Sequence, residues 1–143
     1  MISLLDTNVL IALVDSDLPH NQAATAFLKE AMRDGWATGA LTENGFLRIL
    51  GDPRYQRGPD SPQEARKLVA AYLAARGHQF WPDDVSLAET APIPNLPASK
   101  GLTDLYLLAL AVKHGGRLAT FDHHIDAALV PGGPAAYLIL PLI

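Results

Sequence analysis

Four acidic residues stand beside apolar stretches of the chain, where an ionised side chain is costly unless it is paired, protonated or bound to a metal. They are Asp6, Glu43, Asp104 and Asp122. Asp6 is the clearest case, because it separates a largely apolar run at residues 2–5 from another at residues 9–14. Taken alone, Asp6 fits a helix N-cap, in which a short polar side chain accepts hydrogen bonds from free backbone N–H groups.

These carboxylates would have a chemical role if the fold gathered them in one cleft. Grouped acids repel one another and raise some of their pKa values unless a cation neutralises them. Hard oxygen ligands of this kind suit Mg²⁺ or Mn²⁺. One or two such ions would bind phosphate oxygens, lower the pKa of a bound water and stabilise charge on the leaving oxygen. The expected chemistry is therefore metal-assisted hydrolysis.

Apolar strands alternate with helical patterns along the whole chain. The predicted strands are at residues 2–5, 36–39, 79–81, 117–121 and 137–140. Helical spacing of apolar residues predicts helices at residues 9–14, 21–32, 43–50, 62–76, 84–91, 102–112 and 125–129. This alternation predicts an α/β fold, a three-layer sandwich with a five-stranded, mainly parallel sheet covered on both faces.

The predicted fold changes the interpretation of Asp6. Ligands of open parallel sheets bind outside the carboxyl ends of the strands. Asp6 and Asp122 each follow a predicted strand, and Glu43 and Asp104 each lie in the first turn of a helix that follows the strand layer. Both helical acids share a face with the apolar residues three, four and seven positions later. Capping and the helix dipole explain why Glu43 and Asp104 lie in the first turn of a helix, but not why they lie on its apolar face. We therefore predict that all four acids lie at one rim of the sheet.

Composition limits the classes of protein that fit. The 143 residues predict one domain spanning 1–143, and 49% hydrophobic with 18% charged residues fits a compact globular protein. Cysteine is absent, which excludes disulfides, thiolate zinc sites and cysteine nucleophiles and is compatible with the expected location in the cytoplasm. A net charge of −4 argues against wholesale coating of nucleic acid. The longest uncharged apolar run, residues 105–112, is too short to span a bilayer, so no membrane association is expected.

Four short motifs follow one another in a fixed order: Asp6-Thr7-Asn8-Val9-Leu10, Thr42-Glu43-Asn44-Gly45-Phe46, Leu102-Thr103-Asp104 and Thr120-Phe121-Asp122. The ordered set resembles the PIN domain, and more narrowly the VapC toxins of bacterial toxin–antitoxin pairs. No single motif is specific, but the set covers nearly the whole chain. The resemblance implies a Mg²⁺- or Mn²⁺-dependent endoribonuclease that hydrolyses RNA.

The resemblance also implies roles for individual residues. Asp6 and Asp104 would be the principal metal ligands, while Glu43 and Asp122 would complete the site or orient water. The supporting polar groups would be Thr7, Asn8 and Thr120. Independently of the resemblance, if Asp6 binds a metal, Thr7 or Asn8 is expected to cap the first helix. The implied partners are an RNA substrate, a second copy of the chain in a homodimer, and a VapB-like antitoxin whose C-terminal segment covers the active-site groove.

The chain departs from the family pattern at one position. Many relatives carry another acid two residues after the fourth acid, where this chain has His124, and Asp126 lies two residues further on. The sequence therefore leaves open whether the site holds one metal or two. It also leaves open the roles of His123 and His124 beside Asp122.

Other polar and aromatic residues are weighed against simpler interpretations. Arg48 and Lys100, close in sequence to Glu43 and Asp104, are the best candidates for RNA contacts, because phosphate binding needs local positive charge. Histidines at predicted element ends, among them His78 and His114, are interpreted as structural or solvent-facing. The two tryptophans, Trp36 and Trp81, are expected in the core.

Two alternative functions remain open at this point. A haloacid dehalogenase-type aspartyl phosphatase would use Asp6 as a nucleophile, but that family needs a second Asp where this chain has Asn8. A non-catalytic binding module with the PIN fold is the other alternative, and the intact set of four acids argues against it.

Overall fold

Five parallel strands form one sheet at the centre of the computed structural model, which describes residues 1–142. The strands are β1 (Ser3–Leu5), β2 (Trp36–Gly39), β3 (His78–Trp81), β4 (Arg117–Thr120) and β5 (Tyr137–Ile139). Their order across the sheet is β3-β2-β1-β4-β5, and every neighbouring pair is parallel. The predicted five-stranded sheet is confirmed. Ile143, the last residue of the predicted domain, lies outside the described residues.

Helices pack on both faces of this sheet. Within residues 1–142 the α-helices are α1 (Thr7–Val14), α2 (Asn21–Asp34), α3 (Ala40–Leu50), α4 (Pro62–Leu73), α5 (Leu102–Lys113) and α6 (Gly133–Ala136). Side chains of α1 to α4 form the core on one face, and side chains of α5 and α6 contribute to the core on the other. The predicted three-layer arrangement is therefore confirmed.

The strands show why both faces need an apolar cover. Successive strand residues point to opposite sides of a sheet. Leu5 and Trp36 belong to the core beneath α1 to α4, whereas their neighbours Leu4 and Ala37 belong to the core beneath α5. All four side chains are fully buried, which is typical of parallel strands covered by helices on both faces.

Helix α5 is buried on nearly all sides, as its apolar sequence predicts. Six of its twelve residues are buried, among them Leu105, Leu108 and Leu110. This burial anchors the helix and sets the position of Asp104 in its first turn. None of the helices in the described part of the chain combines the length and the apolar character needed to cross a membrane.

Two of the predicted helices are wrong. Residues 84–91 form no helix, because Val85 and Leu87, two positions apart, both pack on the core beneath α5, a spacing that suits extended chain. Residues 125–129 contain only a single 3₁₀ turn at Ala127–Leu129. The short helix α6 was not predicted, because Gly133 and Pro134 in its first turn indicate a turn by sequence alone.

The strand order sets the position of the candidate site. β1 lies in the middle of the sheet, between β2 and β4. Asp6 directly follows β1, and Asp122 lies two residues beyond the end of β4. Because the carboxyl ends of parallel strands meet at one edge, the two acids lie side by side at that edge.

Candidate active site

Asp6 lies at the junction between β1 and α1, and it is only 5% exposed. Its Oδ1 accepts a hydrogen bond of 2.7 Å from the backbone N–H of Thr7, the first residue of α1. Asp6 is therefore itself the N-cap, and the expectation that Thr7 or Asn8 caps this helix is wrong. The second carboxylate oxygen, Oδ2, points instead to β4.

The hydroxyl of Thr120 connects the three segments that meet at this edge. Thr120 Oγ1 donates to Asp6 Oδ2 at 2.7 Å. The same oxygen accepts from Asn8 Nδ2 at 3.1 Å and from the backbone N–H of Asp122 at 3.0 Å. One donated and two accepted bonds are the full capacity of a hydroxyl group. Asn8 adds a further link, because its Oδ1 accepts from the backbone N–H of Phe121 at 3.2 Å.

Asp104 and Asp122 form a second pair of acids beside Asp6. Burial, the charge of Asp6, and the hydrogen bond and charge of Asp122 raise the pKa of Asp104 to about 7. Burial alone would raise the pKa of Asp122 as well, but hydrogen bonds from the His124 N–H and from Asp104 outweigh it and lower that pKa. The two carboxyl groups therefore titrate as a coupled pair, in which Asp104 takes up a proton at higher pH than Asp122.

Asp6 also titrates abnormally. Burial raises its pKa, and the nearby charge of Asp122 adds to that effect, although the hydrogen bonds from Thr120 and Thr7 partly oppose it. The structure thus brings Asp6, Asp104 and Asp122 close enough to influence one another's protonation.

A turn and the last strand hold Asp122 in place. Its Oδ1 accepts from the backbone N–H of His124 at 2.8 Å and lies 3.2 Å from His124 Nδ1. The Tyr137 hydroxyl on β5 donates to the backbone carbonyl of Asp122 and accepts from the backbone N–H of Ile125 at 3.4 Å. Sequence reasoning missed Tyr137, since nothing in its local pattern distinguishes it from a core aromatic residue.

Glu43 reaches the same rim on a different helix, and its carboxylate has a different partner. Glu43 Oε2 accepts a hydrogen bond of 2.5 Å from Thr38 Oγ1 on β2. The first turns of α1 and α3 touch, because Thr7 Oγ1 donates to the Thr42 carbonyl at 3.3 Å. A Cβ atom added at Gly45 would lie 2.8 Å from Thr7 Oγ1, so glycine is what lets the two helices approach so closely.

The four acids are therefore not all in contact. Within residues 1–142, no three acidic, histidine or cysteine side chains gather in an arrangement that could hold a metal ion. Asp6 accepts a hydrogen bond from Thr120 and Glu43 accepts one from Thr38, while Asp104 and Asp122 interact through their charges. Glu43, the remaining acid of the predicted set, lies at the rim, but its carboxylate is hydrogen-bonded to Thr38 on β2.

Comparison with known proteins identifies the family. The PIN domain model matches residues 3–128. The chain belongs to the PIN-domain family. It is 42% identical over 140 residues to Ribonuclease VapC44 of Mycobacterium tuberculosis, covering 96% of this chain and 98% of that protein. It is also 39% identical to Ribonuclease VapC39 of the same organism, covering 85% of this chain and 89% of that protein.

A solved structure shows the same fold. The crystal structure of VapBC2 from Rickettsia felis bound to a DNA fragment from their promoter contains a chain that matches with a TM-score of 0.61 and 13% identity. The match covers 99% of this PIN-domain chain and 98% of the other. Membership of the PIN family removes the haloacid dehalogenase-type phosphatase as the interpretation of Asp6.

The residues of this PIN domain fit a divalent metal. The available donors are carboxylate oxygens with supporting hydroxyl groups, which Mg²⁺ and Mn²⁺ prefer over nitrogen or sulfur. The raised pKa values of Asp6 and Asp104 reflect the cost of crowding buried negative charge, and a divalent cation would remove that cost. Asp6, Asp104 and Asp122 would supply the carboxylate oxygens for such an ion, although within residues 1–142 they do not form a preformed three-ligand arrangement.

The candidate RNA-contacting residues differ in their relation to this site. Lys100 lines a cleft of about 150 Å³ together with Asp104, His124 and Asp126. Arg48 is exposed on α3. Of the two, Lys100 is the one that shares a cleft with an acid of the candidate site. Both tryptophans are buried, as expected for core residues.

Proposed function

We propose that this PIN-domain protein is a Mg²⁺- or Mn²⁺-dependent endoribonuclease and the toxin of a toxin–antitoxin pair. One observation carries the proposal. Asp6, Asp104 and Asp122 meet at the carboxyl edge of a parallel sheet, in a chain 42% identical to a protein named a ribonuclease. We treat residues 1–143 as one PIN domain, which the match over residues 3–128 and the pairing of β5 with β4 support.

Asp6 and Asp104 are the principal ligands in this proposal, and Asp122 and Glu43 complete the site or orient water. When bound, the ion supplies Lewis acidity toward a phosphate oxygen and lowers the pKa of a water molecule. Asp6 is pre-positioned for its role, because Thr7 and Thr120 fix both of its oxygens. Asp104 must release its proton before it can act as a ligand, since ligating carboxylates are deprotonated.

The supporting groups act through hydrogen bonds to the ligands. Thr120 and Asn8 hold the Asp6 carboxylate and the β4 end in one geometry, and Thr7 joins the first turns of α1 and α3. Partners of this kind typically affect metal affinity or activity by about 10–100-fold. Lys100 beside Asp104 is the better candidate for an RNA phosphate contact, and exposed Arg48 on α3 is the other.

The proposed partners are an RNA substrate, a second copy of the chain and an antitoxin of the VapB type. The match with a chain from a VapBC2 crystal structure supports a fold able to form such a complex. Because its RNA substrate would be in the cytoplasm, we place the protein there. Residues within 97–100 line the cleft beside Asp104, and this loop segment is expected to influence which RNA binds. Tyr55 and Arg57 of the 54–62 loop instead contact Asp15 and Asp17 at the other end of α1.

Cleavage of RNA by the purified chain tests this function. We expect cleavage with Mg²⁺ or Mn²⁺, none with a chelator, and a loss of at least about 100-fold in Asp6→Asn. The matched control is Asp34→Asn, an exposed acid at the end of α2, which should cleave like the wild-type protein. Unchanged cleavage by Asp6→Asn would place the activity elsewhere. Metal binding without cleavage of any RNA would favour a non-catalytic PIN module.

The toxin role needs a separate experiment in cells. Expression of the chain should arrest growth, and Asp6→Asn should relieve the arrest. Co-expression of the small protein encoded by the neighbouring gene should relieve it as well. Growth arrest that persists under both conditions would contradict the toxin assignment while leaving the nuclease assignment intact.

A further inference from the structure

Glu43 is the end of a chain of hydrogen bonds that crosses two strands. Its Oε2 lies 2.5 Å from Thr38 Oγ1 on β2, and that hydroxyl lies 2.7 Å from His78 Nε2 on β3. Thr38 is completely buried, so its hydroxyl depends on Glu43 and His78 for its hydrogen bonds. His78 is 40 residues from Thr38 in the chain, and the parallel pairing of β2 and β3 brings them together.

The chemistry of the three groups determines which group donates and which accepts in each of these hydrogen bonds. An ionised carboxylate can only accept, so the single hydroxyl proton of Thr38 goes to Glu43. Thr38 Oγ1 then has only lone pairs left for His78, which must donate from Nε2–H. The contact therefore selects one of the two neutral tautomers of His78, with the proton on Nε2.

Neighbouring groups hold the imidazole of His78 in the required state. Its ring centroid lies 4.7 Å from that of Trp36, its partner in the strand register, with the rings inclined at 54°. Trp36 is itself fixed, because its indole N–H donates to the Arg76 carbonyl at 3.1 Å. Burial lowers the pKa of His78, although the charge of Glu43 partly opposes that effect, so the ring is neutral at physiological pH.

We propose that His78 is a positioning residue for Glu43, acting through the buried hydroxyl of Thr38. The inference rests on the proposed metal-dependent nuclease, in which Glu43 completes the site. Thr38 donates a hydrogen bond to one carboxylate oxygen of Glu43, Oε2. This bond restricts the side-chain rotamers that Glu43 can adopt when it contacts the ion or its bound water. Without His78, the Thr38 hydroxyl could rotate away from Glu43, and the acid would lose this restraint.

Metal affinity measured without RNA provides the first test. Calorimetric titration with Mn²⁺ should show about 10-fold weaker binding in His78→Ala and in Thr38→Val. His78→Gln, whose amide N–H can replace Nε2–H, and Thr38→Ser should recover most of the affinity. If His78→Ala does not fold, the comparison of Thr38→Val with Thr38→Ser still tests the hydroxyl through which His78 acts, and the tautomer of His78 tests the contact between them.

The structure offers a matched control for lost packing. His114 stacks on Trp81 at 4.5 Å and bonds to Asp84 at 3.0 Å, so it resembles His78 in its contacts but has no link to Glu43. His114→Ala should lower the melting temperature while Mn²⁺ affinity stays at the wild-type value. The proposal is overturned if His78→Ala or Thr38→Val binds Mn²⁺ as tightly as His114→Ala does.

A second readout needs neither metal nor RNA. Long-range ¹H–¹⁵N spectra reveal which ring nitrogen of a histidine carries the proton, and His78 should carry it on Nε2. In Glu43→Ala the Thr38 proton loses its acceptor and can turn to His78, so the tautomer should shift toward Nδ1–H. An Nδ1–H tautomer in the wild-type protein would overturn the proposed chain of hydrogen bonds.

The two readouts separate failure of this inference from failure of the proposed function. If Asp6→Asn binds Mn²⁺ as the wild-type protein does, the metal site and the nuclease proposal fail. The tautomer of His78 then still decides whether His78 and Thr38 hold Glu43. If Asp6→Asn loses Mn²⁺ and the His78 and Thr38 variants do not, only the positioning role fails.

Discussion

Thr120 Oγ1 lies 2.7 Å from Asp6 Oδ2 and donates its proton to that oxygen. Both side chains are buried, Thr120 completely and Asp6 to all but 5%. The two residues are 114 positions apart and lie at the ends of adjacent strands, β1 and β4. This contact orients the most deeply buried acid of the candidate site, and several experiments can test its importance and that of the groups around it.

Thr120→Val should destabilise the protein and weaken metal binding. The substitution leaves Asp6 Oδ2, Asn8 Nδ2 and the Asp122 N–H without their shared partner, and an unsatisfied buried polar group costs about 1–3 kcal/mol. Urea unfolding in a chelator measures that cost, and Mn²⁺ titration measures the affinity. Thr120→Ser keeps the hydroxyl and is the matched control. Equal unfolding free energies for the two variants would contradict the role of the hydroxyl.

Mg²⁺ or Mn²⁺ should stabilise the folded protein. An ion that binds only the folded state adds about 2.7 kcal/mol to the free energy of unfolding at a concentration 100 times its Kd. Thermal unfolding with saturating metal or with a chelator measures the change. Asp104→Asn should lose most of it, because that variant lacks a principal ligand. A melting temperature that is the same with metal and with chelator would rule out the site.

Without metal, the free energy of unfolding should fall as the pH rises from about 4 to about 7. The folded state keeps a proton on Asp104, whose pKa is raised from 3.8 to about 7, whereas the unfolded chain has already released it. The unfolded state thus binds fewer protons in this window, so stability decreases as the pH rises. Urea unfolding at about pH 5 and about pH 8 in a chelator should show the difference. Asp104→Asn should remove this contribution, and an unchanged pH dependence in that variant would assign it to another group.

Gly45→Ala should destabilise the protein although alanine favours helices. Helix propensity alone would make this change stabilising by about 1 kcal/mol. The added Cβ would lie 2.8 Å from Thr7 Oγ1, so α3 or the Thr7 side chain must move, at a cost of about 1–3 kcal/mol. Asn44→Ala, on the exposed neighbouring position, is the control for propensity. If both variants unfold at the same or higher urea concentration than the wild-type protein, the close packing of α1 and α3 has no energetic importance.

The fold was predictable to the extent that it depends on local patterns. The strands around Leu4 and Ala37 and the apolar helix around Leu108 follow from short-range periodicity, and all three are where the sequence places them. The prediction of a helix at residues 84–91 is wrong because long-range packing, not local periodicity, determines the conformation of this segment. Val85 and Leu87 do face the core, but their packing against α5 depends on a surface that is distant in sequence.

The candidate site also has features that local sequence predicts and features that depend on the tertiary structure. The sequence by itself determined which acids follow the strand layer, because residue type and position after an apolar run are local properties. Only the tertiary structure decided the partner of each carboxylate: Thr120 for Asp6, Asp122 for Asp104, and Thr38 with His78 for Glu43. Strand register and helix packing bring these partners together, and both arise from the burial of many side chains at once. No local sequence pattern around His78 predicts that the Thr38 hydroxyl links it to Glu43.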